Sequence, residues 1–139
     1  MQVSELMTPS PATVTPDASI GEAWDLMREL DIRHLPVVER GALVGMLSDR
    51  DLIFLDVGGT LADQGGEALR RTLARSVVEV MSSDVVCTEA DGDLAEVVDL
   101  LLEHRIGAIP VIRPATRELV GIISYVDILR SLRGVLAER

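Results

Sequence analysis

The spacing of apolar residues changes along this chain, and each change marks an element. Residues 3–7 read as a short amphipathic turn, and residues 12–15 as an extended stretch that stops at Pro16. Ile20, Ala23, Trp24, Met27 and Leu30 then share one helical face. Ser19 precedes them as an N-cap, and Glu22 is placed to complete a capping box. The helix is expected to end near Asp31. Residues 35–38 read as a short buried strand, Arg40-Gly41 as a tight turn, and residues 42–47 as a second strand, giving a hairpin. Ser48 is the next N-cap, with Asp51 three residues on.

The second half repeats this order. Residues 85–88 are expected to be extended. Asp93 caps a helix to about Arg105, with Glu96 as the answering residue. Residues 108–112 and 119–123 are expected strands joined by residues 113–118. Ser124 caps a last helix that is expected to run to about Leu132.

The likeness extends to the residues themselves. Segment 20–38 recurs as 94–112, with seven of nineteen pairs identical, among them Asp25/Asp99, Ile32/Ile106 and Pro36/Pro110. The blocks VGMLSDRDL, from Val44, and VGIISYVDI, from Val120, follow. Each half is thus expected to run β-α-β-β-α, an α+β fold. Some sixty residues cannot bury such a sheet alone, so the two repeats are expected to pack as a pseudo-two-fold unit. The division expected is residues 1–55 and 77–133 as repeats, 56–76 as a linker and 134–139 as a tail. Within the linker, Gly58-Gly59 and Gly65-Gly66 read as breaks, and residues 67–75 as a connecting helix.

Composition narrows the function. Of 139 residues 47% are hydrophobic but only 2% aromatic, so the core must be aliphatic. A net charge of −10 argues against nucleic acid and anionic membrane as partners. One cysteine, Cys87, allows no internal disulfide. Two histidines and that cysteine do not suggest a metal site. No apolar run approaches a membrane span, and the N-terminal stretch does not read as a signal peptide. The expected compartment is the cytoplasm. No nucleophile–base pair stands out, so an enzyme is not expected.

The candidate chemistry lies in Ser48-Asp49-Arg50-Asp51 and Ser124-Tyr125-Val126-Asp127. Each follows a strand and opens a helix. A helix start offers free N–H groups and partial positive charge, which favour anions. The Ser hydroxyl can donate to a phosphate oxygen, and the Asp can accept both hydroxyls of a ribose. The same residues also make an ordinary capping box, and the two roles are compatible.

The order helix, Pro-Val strand, hairpin, Val-Gly strand and Ser-x-x-Asp, present twice, resembles the CBS domain, and the chain resembles a tandem CBS pair. The resemblance implies a regulatory module whose inter-repeat clefts bind an adenosyl ligand: AMP, ADP, ATP, S-adenosylmethionine or, in some cases, NAD. It makes Asp51 and Asp127 ribose ligands, and Ser48 and Ser124 hydroxyl or phosphate contacts. Val14 and Thr15 in one extended segment, and Cys87 and Thr88 in the other, would line the base. Val14, Val38, Leu47, Ile112 and Ile123 would flank it. Arg33, His34 and Arg50 are candidate phosphate contacts in the first copy, and solvated or structural roles remain open for Arg33 and His34. The second copy has Gly107-Ala108 and Tyr125-Val126 there, so it is expected to hold a weaker ligand, a less charged one or none. A homodimer and an unknown effector protein are the expected partners. The competing reading is a ligand-free scaffold acting through dimerisation.

Overall fold

The structure is a computed structural model that describes residues 1–60 and 66–137. A 3-10 turn at Val3–Glu5 leads to β1 (Thr8–Pro9), α1 (Ile20–Leu30), β2 (His34–Glu39), β3 (Ala42–Ser48), α2 (Asp49–Thr60) and α3 (Glu67–Ala74). A second 3-10 turn at Val77–Glu79 is followed by α4 (Leu94–His104), β4 (Ala108–Ile112), β5 (Leu119–Ser124) and α5 (Tyr125–Ala137). β2 pairs with β3, and β1, β5 and β4 form an antiparallel sheet in that order. The expected opening strands are reduced to single parallel bridges, Val14 with Val37 and Thr88 with Val111.

Two compact units result, and they are not the two sequence repeats. One holds residues 12–40 and 44–84; the other holds residues 1–11, 41–43 and those from 85 on. Backbone hydrogen bonds explain the exchange. The N–H groups of Val3 and Ser4 donate to the carbonyls of Gly92 and Ala90, and that of Leu94 donates to Met1. In the other unit Val77 and Val78 donate to Ala18 and Pro16, and Ile20 donates to Arg75. Each 3-10 turn is closed by its own capping box, Gln2 with Glu5 and Ser76 with Glu79. Each turn therefore sits at the start of the long helix encoded by the other repeat.

The cores are aliphatic, as composition requires. Ile20, Ala23, Met27, Leu35, Val37, Leu47, Leu52 and Val77 form one, with Trp24 half-buried against it. Val3, Val97, Leu101, Ile109, Val111 and Ile123 form the other. Leu30, expected on the buried face of α1, is 48% exposed. Ser19 accepts from the Glu22 N–H, and Asp93 accepts from the Ala95 N–H, so these two caps form with a side chain from one side only. Both helices end on a left-handed residue, Asp31 and Arg105. α2 continues through Gly58 and Gly59, where a break was expected, and α5 continues past Leu132 to Ala137. The connecting helix forms as α3, with Gly66 as its N-cap; Gly65 lies outside the described residues.

The Val-Gly step of each repeat has a packing cause. A Cβ on Gly121 would stand 2.6 Å from Met7 Sδ and 3.1 Å from the Thr8 carbonyl oxygen. A Cβ on Gly45 would stand 2.4 Å from Met81 Sδ and 3.0 Å from the Ser82 carbonyl oxygen. The methionine two residues beyond each 3-10 turn thus lies across the glycine of a strand. Gly121→Ala is expected to cost about 1–3 kcal/mol, the usual penalty of overpacking. Met7→Ala should relieve part of that cost in the double variant, because the sulfur can be removed but the Thr8 backbone cannot. Urea midpoints of the single and double variants measure both.

Candidate ligand sites at two helix starts

β3 delivers Ser48 to the start of α2, and β5 delivers Ser124 to the start of α5. At the first, the Ser48 N–H donates to Asp51 Oδ2 at 2.8 Å, and the Asp51 N–H donates to Ser48 Oγ at 3.3 Å. At the second, the Ser124 N–H donates to Asp127 Oδ2 at 2.9 Å, and the Asp127 N–H donates to Ser124 Oγ at 3.3 Å. The Ser124 hydroxyl also reaches Asp127 Oδ2, at 3.1 Å. Both capping boxes are therefore made. Each uses one carboxylate oxygen, and among the described residues Oδ1 of Asp51 and of Asp127 has no protein partner. All four side chains are half-buried. Capping and an open acceptor coexist at both starts.

A second bond fixes what surrounds each start. The Asp49 N–H donates to the Arg33 carbonyl at 2.9 Å, and the Tyr125 N–H donates to the Gly107 carbonyl at 3.1 Å. The first bond brings Arg33 and His34 to the Ser48–Asp51 turn. His34 is half-buried, and burial pushes its pKa below the ordinary histidine value. Asp49 and Asp51 act in the opposite direction, and Arg33 adds to the lowering. Arg33 and Arg50 are exposed, and neither is ion-paired among the described residues.

The depressed pKa has a consequence for stability. Folded His34 holds its proton less tightly than the unfolded chain does, so acidification favours unfolding. Its contribution is complete above about pH 6.5, the unfolded value. It is lost as pH falls from there through the lower folded value. Unfolding midpoints of the wild type should therefore drop more steeply on the acid side than those of His34→Gln, measured from about pH 8 down to about pH 5.

The residues expected to line the base lie on the two extended segments that bridge to β2 and β4. Val14 and Thr88 are structural equivalents: the Val14 N–H donates to Pro36 and its carbonyl accepts from Val38, while Thr88 does the same with Pro110 and Ile112. Thr15 thus corresponds to Glu89, and Cys87 to Thr13. These segments flank Val37 and Val111, three residues along the strands from His34 and Ala108, or about 10 Å. The Thr15 hydroxyl is engaged, donating to Asp17 Oδ1 at 2.6 Å. Leu47 and Ile123 are fully buried and offer no surface to a ligand; they belong to the cores because alternate residues of β3 and β5 face inward. Ile112 is buried as well, and Val38 is half-buried.

Arg117 is a residue that sequence reasoning missed. It holds a left-handed backbone at φ +61°, in the turn before β5. Its Nε donates to the Leu43 carbonyl at 3.2 Å, while the Leu43 N–H donates back to the Arg117 carbonyl at 2.9 Å. Its Nη2 lies 3.9 Å from Cys87 Sγ. Burial raises the Cys87 pKa, with the guanidinium opposing, so the thiol is held in its unreactive form. Nothing in the local sequence marks Arg117, because its partner lies 74 residues away.

Among the described residues there is no cluster of three or more His, Cys, Asp or Glu placed to hold a metal. No described helix is long and apolar enough to cross a membrane.

Comparison with known proteins agrees with this arrangement. The CBS domain model matches residues 3–58 and 77–134. The chain is 33% identical over 126 residues to the CBS domain-containing protein YhcV of Bacillus subtilis, covering 91% of this chain and 81% of that protein. It also matches an inosine-5′-monophosphate dehydrogenase of Methanocaldococcus jannaschii at 30% identity, but spans only 25% of it. Among solved structures it is similar to the CBS domain pair of protein MJ0100 in complex with 5′-methylthioadenosine and S-adenosyl-L-methionine, with a TM-score of 0.79 and 26% identity, covering 96% of this chain and 97% of that one. It is equally similar to CBSX2 in complex with AMP, with a TM-score of 0.79 and 26% identity, covering 99% and 98%. The chain belongs to the CBS-domain family and carries two copies of the domain.

Proposed function

We propose that this chain is a non-catalytic regulatory module that binds an adenosyl ligand (AMP, ADP, ATP or S-adenosylmethionine) at its two Ser-x-x-Asp helix starts. The observation that carries this reading is Oδ1 of Asp51 and of Asp127, without a protein partner among the described residues, on a carboxylate held at a helix start by a completed capping box. A carboxylate oxygen so placed accepts from a ribose hydroxyl while the adjacent serine and amides face the remainder of the ligand. Relatives of the same fold that hold AMP, 5′-methylthioadenosine and S-adenosylmethionine support the ligand class. The module acts in the cytoplasm and passes its signal to an effector protein.

A second reading, a ligand-free dimerisation module, draws on the apolar surface of α4 and α5. Leu102 is 72% exposed, Leu129 56% and Leu136 64%. We assign that surface to a homodimer in either reading. Calorimetric titration of AMP, ADP, ATP, S-adenosylmethionine and NAD into protein freed of carried-over ligand separates the two. Saturable binding by one of them supports the sensor, and a flat response across the panel, with the protein folded, leaves the scaffold.

A further inference from the structure

We propose that Met7 and Met81 are a matched pair of oxidation sites, through which a hydroperoxide loosens the segment that follows the 3-10 turn in each unit. The two methionines are 74 residues apart (81 − 7 = 74), the spacing of the repeat itself. Each lies two residues beyond its turn. Its sulfur fills the space in which a strand glycine lacks a side chain, Gly121 of β5 for Met7 and Gly45 of β3 for Met81. Each pair lies within one unit. Beside each sulfur the chain is hydrogen-bonded to the same strand. Thr8 and Pro9 pair with Ile122 and Gly121, and Ser82 exchanges both backbone bonds with Met46, at 2.9 Å each.

Both side chains are half-buried, so a small oxidant reaches them. Both also pack against the aliphatic core of their unit. Met27 and Met46, by contrast, are 3% and 9% exposed. With hydrogen peroxide, a sulfur lone pair attacks one peroxide oxygen. The S–O bond forms, the O–O bond breaks, and water leaves; the thioether is oxidised and the peroxide reduced. The product is a polar sulfoxide. Turned toward the strand, its oxygen meets the carbonyl of Thr8 or Ser82, which stand 3.1 and 3.0 Å from the space beside the glycine. Two acceptors then face each other. Turned outward, it draws the side chain toward water and uncovers both glycine and core. In each case residues 8–9 or residue 82 lose a contact that holds them to their strand. Reduction of the sulfoxide returns the thioether, so the change is reversible.

The test treats wild type and Met7→Leu/Met81→Leu with limiting hydrogen peroxide. Met1, Met27, Met46 and Cys87 are common to both proteins. Peptide masses are expected to show sulfoxide at Met7 and Met81 before Met27 and Met46. In urea, the folded-to-unfolded ratio should fall about fivefold or more in the oxidised wild type and less than about twofold in the leucine variant. Methionine sulfoxide reductases of both stereospecificities should restore the wild type. Amide signals of the oxidised wild type give a reading that needs no variant, with shifts centred on residues 8, 45–46, 82 and 121–122. Oxidation of Met27 and Met46 first, an equal loss in both proteins, or shifts centred elsewhere overturns the proposal.

Discussion

Val3→Asp is expected to unfold the unit that contains residues 85 onward, although Val3 belongs by sequence to the first repeat. Val3 is fully buried beside Val97, Leu101, Ile109, Val111 and Ile123. No buried polar or charged residue is present in either core among the described residues, so an introduced carboxylate finds no partner. An uncompensated buried charge costs about 3–5 kcal/mol, a large share of the stability of a small domain. The N-terminal segment that carries Val3 also supplies the carbonyl of Met1 to the Leu94 N–H at the start of α4. Displacing the turn therefore exposes both a core face and a helix start. Residue-resolved amide signals in mild urea report the outcome. Loss should begin in residues 94–128; loss confined to residues 20–52 would refute the exchanged arrangement.

Asp51→Ala is expected to weaken adenosyl binding by about 1.5–3 kcal/mol, the range for hydrogen bonds to a charged group, or about 10- to 150-fold. The substitution also removes the acceptor of the Ser48 N–H, so α2 loses part of its cap. Asp51→Asn separates the two effects. Its amide oxygen can still accept from Ser48, whereas the charge and the second acceptor oxygen are gone. Affinity should fall in both variants, and stability should fall more in the alanine variant. Calorimetric titration beside urea denaturation of each variant decides. An affinity loss below tenfold for Asp51→Ala, with α2 intact, contradicts a ribose role for this carboxylate.

Much of the fold was legible because its signals are local. Ser19, Ser48, Asp93 and Ser124 cap the helices they precede. Arg40-Gly41 turns the chain with positive φ at both residues, and the paired strands fall within a residue or so of their expected places. The two Ser-x-x-Asp boxes were equally legible, since three-residue spacing at a helix start specifies their geometry. What escaped was set by distant partners. The exchange of 3-10 turns depends on backbone bonds between residues about ninety apart, Val3 to Gly92 and Ser4 to Ala90, and backbone groups leave no mark in a sequence. α2 passes through Gly58-Gly59 because propensity is a weak prior that context overrides. Leu47 and Ile123 read as apolar neighbours of a ligand, but their position in β3 and β5 turns them into the cores.

The most direct measurement is an NMR titration of isotope-labelled protein with AMP. The account predicts saturable shifts at the amides of Ser48 to Asp51 and of Arg33 and His34, abolished at those amides by Asp51→Ala. Saturable shifts confined to other parts of the chain, or shifts at these amides that persist in Asp51→Ala, would contradict it.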